Sequence, residues 1–182
     1  NKLLAWLMTL LMLLSLVSNY NIVLAYAAEA KTISAWNYTA SPANGLPTQA
    51  TEGDLTATLD TNAKYVGYST SSLSANAWEN GAESKYWLIK LSTAGYEDLH
   101  LSAKMRSSNT GPADFRLDYS IDGGVSWTAV ENSNYRVGGT AIADAYKMLP
   151  LPEQSEDAEE LQLRVIMTTN YSLRSYTSPA TY

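Results

Sequence analysis

FRLDYSIDGGVSW, residues Phe115 to Trp127, decides how this chain is read. Its first half alternates: Phe115, Leu117, Tyr119 and Ile121 are apolar, with Arg116, Asp118 and Ser120 between them. Such a period of two places the apolar set on one face of a strand. Asp122-Gly123-Gly124 then interrupts the pattern, and Trp127 follows three residues later. Glycine supplies the positive φ that a tight hairpin turn needs. Asp122 is placed to accept hydrogen bonds from backbone N–H groups two residues on. The stretch therefore predicts a strand, a turn built on Asp122, Gly123 and Gly124, and a return strand. Trp127 opens that return strand and packs over the turn or across to Tyr119.

Working outward, the same alternation recurs. Leu55, Ala57 and Leu59 alternate with Thr56 and Thr58. In SKYWLIKLST, Trp87, Ile89 and Leu91 share one face, and Tyr86, Leu88 and Lys90 the other. YEDLHLSAKMRSS puts Leu99, Leu101, Ala103 and Met105 inward and His100, Ser102, Lys104 and Arg106 outward; LQLRVIMTTN aligns Leu161, Leu163, Val165 and Met167. Ile33–Tyr38 reads as a first strand, the Ser/Asn-rich stretch before Trp78 as a polar loop, and LPEQSEDAEELQ as a short helical turn. Antiparallel strands with one apolar face pack as two sheets. The expected fold class is all-β, a two-sheet antiparallel β-sandwich. Thirteen Tyr and five Trp fit such a module.

Residues 1–30 read differently. Lys2 precedes a strongly apolar run from Leu3 to Leu14, and small residues stand at Ala25, Ala27, Ala28 and Ala30. A basic start, an apolar middle and an A-x-A ending are the parts of a secretory signal peptide. The competing reading, a membrane anchor, is opposed by Ser18-Asn19-Tyr20-Asn21 and by the lack of a following basic cluster. Cleavage between Ala27 and Ala30 leaves 31–182 as one sandwich module with no stable membrane span. The expected location is extracellular or at the cell surface. An exported chain with no cysteine points to a bacterial, Gram-positive exporter. The sequons at Asn37 and Asn170 carry little weight there. A net charge of −6 with no Lys/Arg run opposes nucleic acid as a partner.

Chemistry is limited by scarcity. A lone histidine, His100, and no cysteine exclude His- or Cys-based metal sites. A Ser-His-acid arrangement would have to use His100, which reads as a solvated strand residue. Paired carboxylates for glycoside hydrolysis would have to come from loops or from the acidic run Glu153–Glu160, itself read as a surface turn. Calcium is the cofactor left open, with Asp54, Asp60, Glu79 or Asp144 as oxygen donors, although no dense ligand spacing occurs. Sugar stacking on exposed rings is the remaining chemistry. Trp78, in a loop, and Tyr86, on an outward face, are the candidate ligand-binding residues, ahead of Tyr68 and Tyr135. Trp36, Trp87 and Trp127 read as core or hairpin-packing residues.

Ser120-x-Asp122-x-Gly124-x-x-Trp127 also satisfies the Asp-box pattern seen repeatedly on sialidase propeller blades; a single copy is a turn device. A broader resemblance is carried by Trp78-x-x-Gly81, by Ser92-Thr93-x-Gly95-Tyr96, by Arg106-Ser-Ser-x-Thr-Gly-Pro112 and by the Phe115–Gly123 hairpin. From Lys31 onward the chain resembles an N-terminal module of large exported Gram-positive proteins, which precedes nuclease, phosphoesterase or surface-anchoring domains. The resemblance implies a jelly-roll, galactose-binding-like sandwich with no catalytic residues, followed by downstream domains. It also implies a further strand beyond Tyr182. The expected function is a secreted, non-catalytic accessory module that binds a glycan or cell-envelope polymer. The alternative is the N-terminal part of an extracellular nuclease, phosphoesterase or other hydrolase whose catalytic domain lies elsewhere.

Overall fold

The computed structural model describes residues 30–69, 72–139 and 141–177. The signal peptide read in 1–30 falls almost wholly outside them. Among the described residues no helix is long and apolar enough to cross a membrane.

Eleven antiparallel strands dominate the described residues: β1 (Thr48–Gln49), β2 (Ala57–Thr61), β3 (Lys64–Ser69), β4 (Ser72–Asn76), β5 (Tyr86–Leu91), β6 (His100–Met105), β7 (Asp114–Ser120), β8 (Thr128–Ala129), β9 (Tyr135–Arg136), β10 (Ala143–Pro150) and β11 (Leu161–Met167). Among the described residues the only α-helix is α1 (Leu173–Thr177). The main sheet runs β1-β2-β5-β11-β7-β8, with β9 also on β7; β6 and β10 form a second, two-stranded sheet, and β3 and β4 a separate hairpin. The fold is all-β, as the alternation predicts.

Register explains the core. Leu163 pairs with Ile89 on one side and Tyr119 on the other, and Val165 with Trp87 and Leu117. One face of three adjacent strands is therefore uniformly apolar. Leu101, Ala103 and Met105 of β6 and Tyr146 and Leu149 of β10 pack against that face and close a sandwich core. The central strand β11 is buried almost throughout. Tyr146 is buried with its hydroxyl donated to Ser133 O at 2.9 Å. Burial, and secondarily the charge on Asp118, pushes that phenol above its ordinary range.

Five elements depart from the sequence reading. Ile33–Tyr38 is not a strand: it makes one bridge, Ala35 to Glu52, and Trp36 donates its indole N–H to Thr48 O at 3.3 Å. The second strand starts at Ala57 rather than Leu55, because Leu55 N–H is already bonded to Ile33 O. Gly53 makes that approach possible: at φ +100°, a Cβ there would stand 2.4 Å from Ile33 O. The polar stretch before Trp78 contains the β3–β4 hairpin. LPEQSEDAEELQ shrinks to a 3-10 turn at Glu153–Ser155, where Ser155 is buried and its carbonyl accepts from Thr93 Oγ1 at 2.6 Å. Strand β10, which the alternation rule passes over, is irregular: its register slips between Asp144 and Tyr146 and again between Tyr146 and Leu149.

Met148 sits in the second slip with φ +50° and a solvent-exposed side chain. A bulky residue in the left-handed region is strained by roughly 1 kcal/mol. Met148→Gly is therefore expected to raise stability in urea by about 0.5 kcal/mol, the strain relief being partly offset by glycine's larger unfolded-state entropy. At an ordinary strand position the same change would lower it, so the sign of the measured difference decides.

Candidate functional site

The Asp122 turn is a closed hydrogen-bond unit. Asp122 Oδ1 accepts from Ser120 Oγ at 2.7 Å and from Ser126 N–H at 3.0 Å; Oδ2 accepts from Ser126 Oγ at 2.6 Å. The N–H two residues on, Gly124, bonds instead to Ser120 Oγ at 2.9 Å, so the carboxylate reaches four residues ahead rather than two. Gly123 and Gly124 both have positive φ, and a Cβ at Gly124 would come 3.1 Å from Gln162 Oε1. The hydroxyl and then the N–H of Ser126, with Ser120 next, hold the Asp122 carboxyl well below the usual carboxylate range. Every acceptor direction described for Asp122 points into its own turn.

What the turn does is carry Trp127 onto the outer face of the main sheet. β8 pairs Thr128 with Tyr119 and Ala129 with Asp118, so Trp127 follows on the side of Ser120, away from the core. Of the two packing options, it takes the turn: its indole N–H donates to Gly124 O at 3.0 Å. Its ring also receives Arg164, whose guanidinium carbon lies 4.2 Å from the ring centroid and 5.9 Å from that of Tyr86. Both rings are half-buried, so each keeps part of its surface in solvent.

Beneath these rings lies an ion network. Register sets Arg164 opposite Asp118. The Asp118 side chain is only 2% exposed, against 18% for Arg164 and 25% for Arg116. Arg164 donates Nε and Nη2 to Asp118 Oδ2 at 3.0 and 2.9 Å. Arg116 donates Nε to Oδ1 at 2.6 Å and Nη2 to Oδ2 at 3.2 Å. The outer end of Arg116 reaches Glu83 at 3.0 Å. The hydrogen bonds that Arg116 donates to Asp118 raise its pKa, and it stays cationic at any ordinary pH. The carboxylate thus holds Arg164 in one orientation between two rings, an arrangement suited to stacking and hydrogen-bonding a planar or cyclic polar ligand.

Of the two sequence candidates, Tyr86 belongs to this face and Trp78 does not. Trp78 stands on the core side, edge-on to Phe115 at 5.9 Å and tilted against Trp87 at 6.3 Å, its N–H on Ala75 O. The structure does not bring the two rings to a common surface. Trp127, Arg164 and Asp118 are the members that sequence reasoning missed. Parity was the available signal for the charged groups, since Asp118 and Arg116 fall on the polar beat of the hairpin; Trp127 counts with the apolar beat and reaches this face only through the register of β8 on β7.

His100 is exposed on β6, its Nδ1 2.8 Å from Asp98 O and 4.0 Å from the Asp98 carboxylate. It borders a small apolar cavity of about 70 Å³ lined by Trp36, Ile89, Leu91, Leu99 and Leu101. Ser34, in the same lining, donates its hydroxyl to Leu55 O. The acidic run fastens loops: Glu156 accepts from Asp98 N–H and Asp157 from Gly95 N–H. Among the described residues no three His, Cys, Asp or Glu side chains gather around a metal-sized space. Asp54, Asp60, Glu79 and Asp144 lie on separate elements. Compared with known protein families, characterised proteins and solved structures, the chain matches none.

Proposed function

We propose that this chain is a secreted, non-catalytic β-sandwich module that serves a larger extracellular protein by binding a polysaccharide on the outer face of its main sheet. The observation that carries the reading is Arg164, fixed by buried Asp118 and stacked between Trp127 and Tyr86. Pyranose rings present C–H faces to aromatic rings and hydroxyls to charged side chains, and this face offers both. The secretory N-terminal pattern and the resemblance to exported modules point the same way.

Trp127→Ala and Tyr86→Ala are each expected to lower retention on the bound polysaccharide about tenfold, or ~1.4 kcal/mol, by losing one stacking surface. Affinity electrophoresis in gels containing soluble polysaccharides measures this, with thermal unfolding as the control for folding. Equal migration of wild type and both variants in a gel that retards the wild type rules out this face as the binding surface.

A further inference from the structure

Resting on that reading, we infer that the ligand is a neutral polysaccharide rather than an anionic envelope polymer, and that Ile121 and Val125 form an apolar rim of the same face. Two observations carry this.

The first is charge. Lys90, Arg116, Arg136 and Arg164 are the cations that register places on the outer face, against Asp60, Glu83, Asp114, Asp118 and Glu160, with Arg136 paired to Asp114 at 2.8 Å. Asp118 binds Arg116 and Arg164, and Glu83 the far end of Arg116, so their charge is already compensated. Glu160 is bonded to Gln162 beside the Asp122 turn. A face with no surplus positive charge, on a chain of net charge −6, does not attract a polyanion.

The second is the turn. Val125 is 87% exposed and Ile121 50% exposed, two β-branched aliphatic side chains on a turn that ordinarily carries polar ones. They flank Asp122, whose bonds to Ser120 and Ser126 involve neither side chain. The turn is thus rigid without them. It is continuous with the stacking surface, because Gly124 O accepts the Trp127 N–H. Preorganised apolar groups beside an aromatic ring lose little entropy on contact, which favours C–H-rich, uncharged ligand surfaces. A β-linked pyranose chain with equatorial hydroxyls presents such faces along its length.

The test uses the full chain in pull-downs on cellulose and chitin, as neutral β-linked probes, and on insoluble polygalacturonate and a teichoic-acid-bearing cell wall, as anionic ones. Retention on a neutral probe that is indifferent to added salt is expected, because screening acts only on charge. The double variant Ile121→Ser, Val125→Ser is expected to weaken it about tenfold with an unchanged melting temperature. Val125→Thr, which keeps the shape, is expected to weaken it to a smaller extent. Retention only on the anionic probes, fading with salt, overturns the neutral-ligand inference while leaving the face intact if Trp127→Ala still abolishes it. Retention on a neutral probe that is lost in Trp127→Ala but unchanged in the double serine variant overturns the rim. Retention on none of the four overturns the inference and the reading beneath it together.

Discussion

Asp118→Ala is expected to lower the free energy of unfolding by about 3 kcal/mol, read from urea denaturation by tryptophan fluorescence. Asp118 stands at the centre of the outer-face network, with a side chain 2% exposed and hydrogen bonds from both arginines. Removing one partner of a buried ion pair leaves the other charge desolvated, at a cost of about 3–5 kcal/mol when burial is complete. Arg164 and Arg116 keep 18% and 25% of their side-chain surface in water, so the lower end of that range applies. Arg116 retains Glu83, which limits the loss further on that side. Asp118→Asn keeps the volume and one acceptor, and is expected to cost roughly half as much. Coupling is the more specific readout. Because Arg164 is stranded by either Asp118 substitution, Asp118→Ala with Arg164→Met should cost less than the sum of the two single variants. Strict additivity would show that the ion pair is not an energetic unit.

The second large effect is expected at Trp78. Trp78→Ala should destabilise the protein by about 3 kcal/mol and leave polysaccharide retention by the folded fraction unchanged. The ring fills the edge of the core, against Phe115 and Trp87. Full truncation of a core Trp costs about 3–5 kcal/mol, and partial exposure of this one places it at the low end. Trp127→Ala is expected to do the reverse, with a modest stability loss and a tenfold binding loss. The pair of variants thus separates the two sides of one sheet. If Trp78→Ala is as stable as wild type but fails to bind, the core assignment of that ring is wrong.

The contrast between these tryptophans shows what was legible. Trp127 belongs to a hairpin whose alternation is readable, but counting on from Leu117 puts it on the apolar beat, and only the register that pairs Thr128 with Tyr119 turns it to the outer face. A lone tryptophan beside glycines reads as a hairpin-packing ring. Trp78 follows a Ser/Asn-rich stretch with no period, so nothing local states which way it points. Its direction is set by the β3–β4 hairpin and by Phe115, which is distant in sequence. The same limit explains Ile33–Tyr38. Its apolar content suggests a strand, but a strand requires a partner edge, and here the pairing is confined to a single bridge from Ala35 to Glu52. Strand β10 escaped because its two register slips break the period that would have marked it.

The sequence alone determined which residues face inward along β5, β6, β7 and β11, and that Asp122 with its glycines makes a turn. Those are local properties: a pleat sends successive side chains to opposite faces, and a positive φ asks for glycine. Only the tertiary structure decided that β11 lies between β5 and β7. That strand order, which joins strands far apart in the chain, places Arg164 beside Asp118 and between Tyr86 and Trp127. Alternation records the face of each residue but not its neighbour across the sheet. The neighbour is chosen by the packing of the whole apolar core, and the outer-face site is a consequence of that choice.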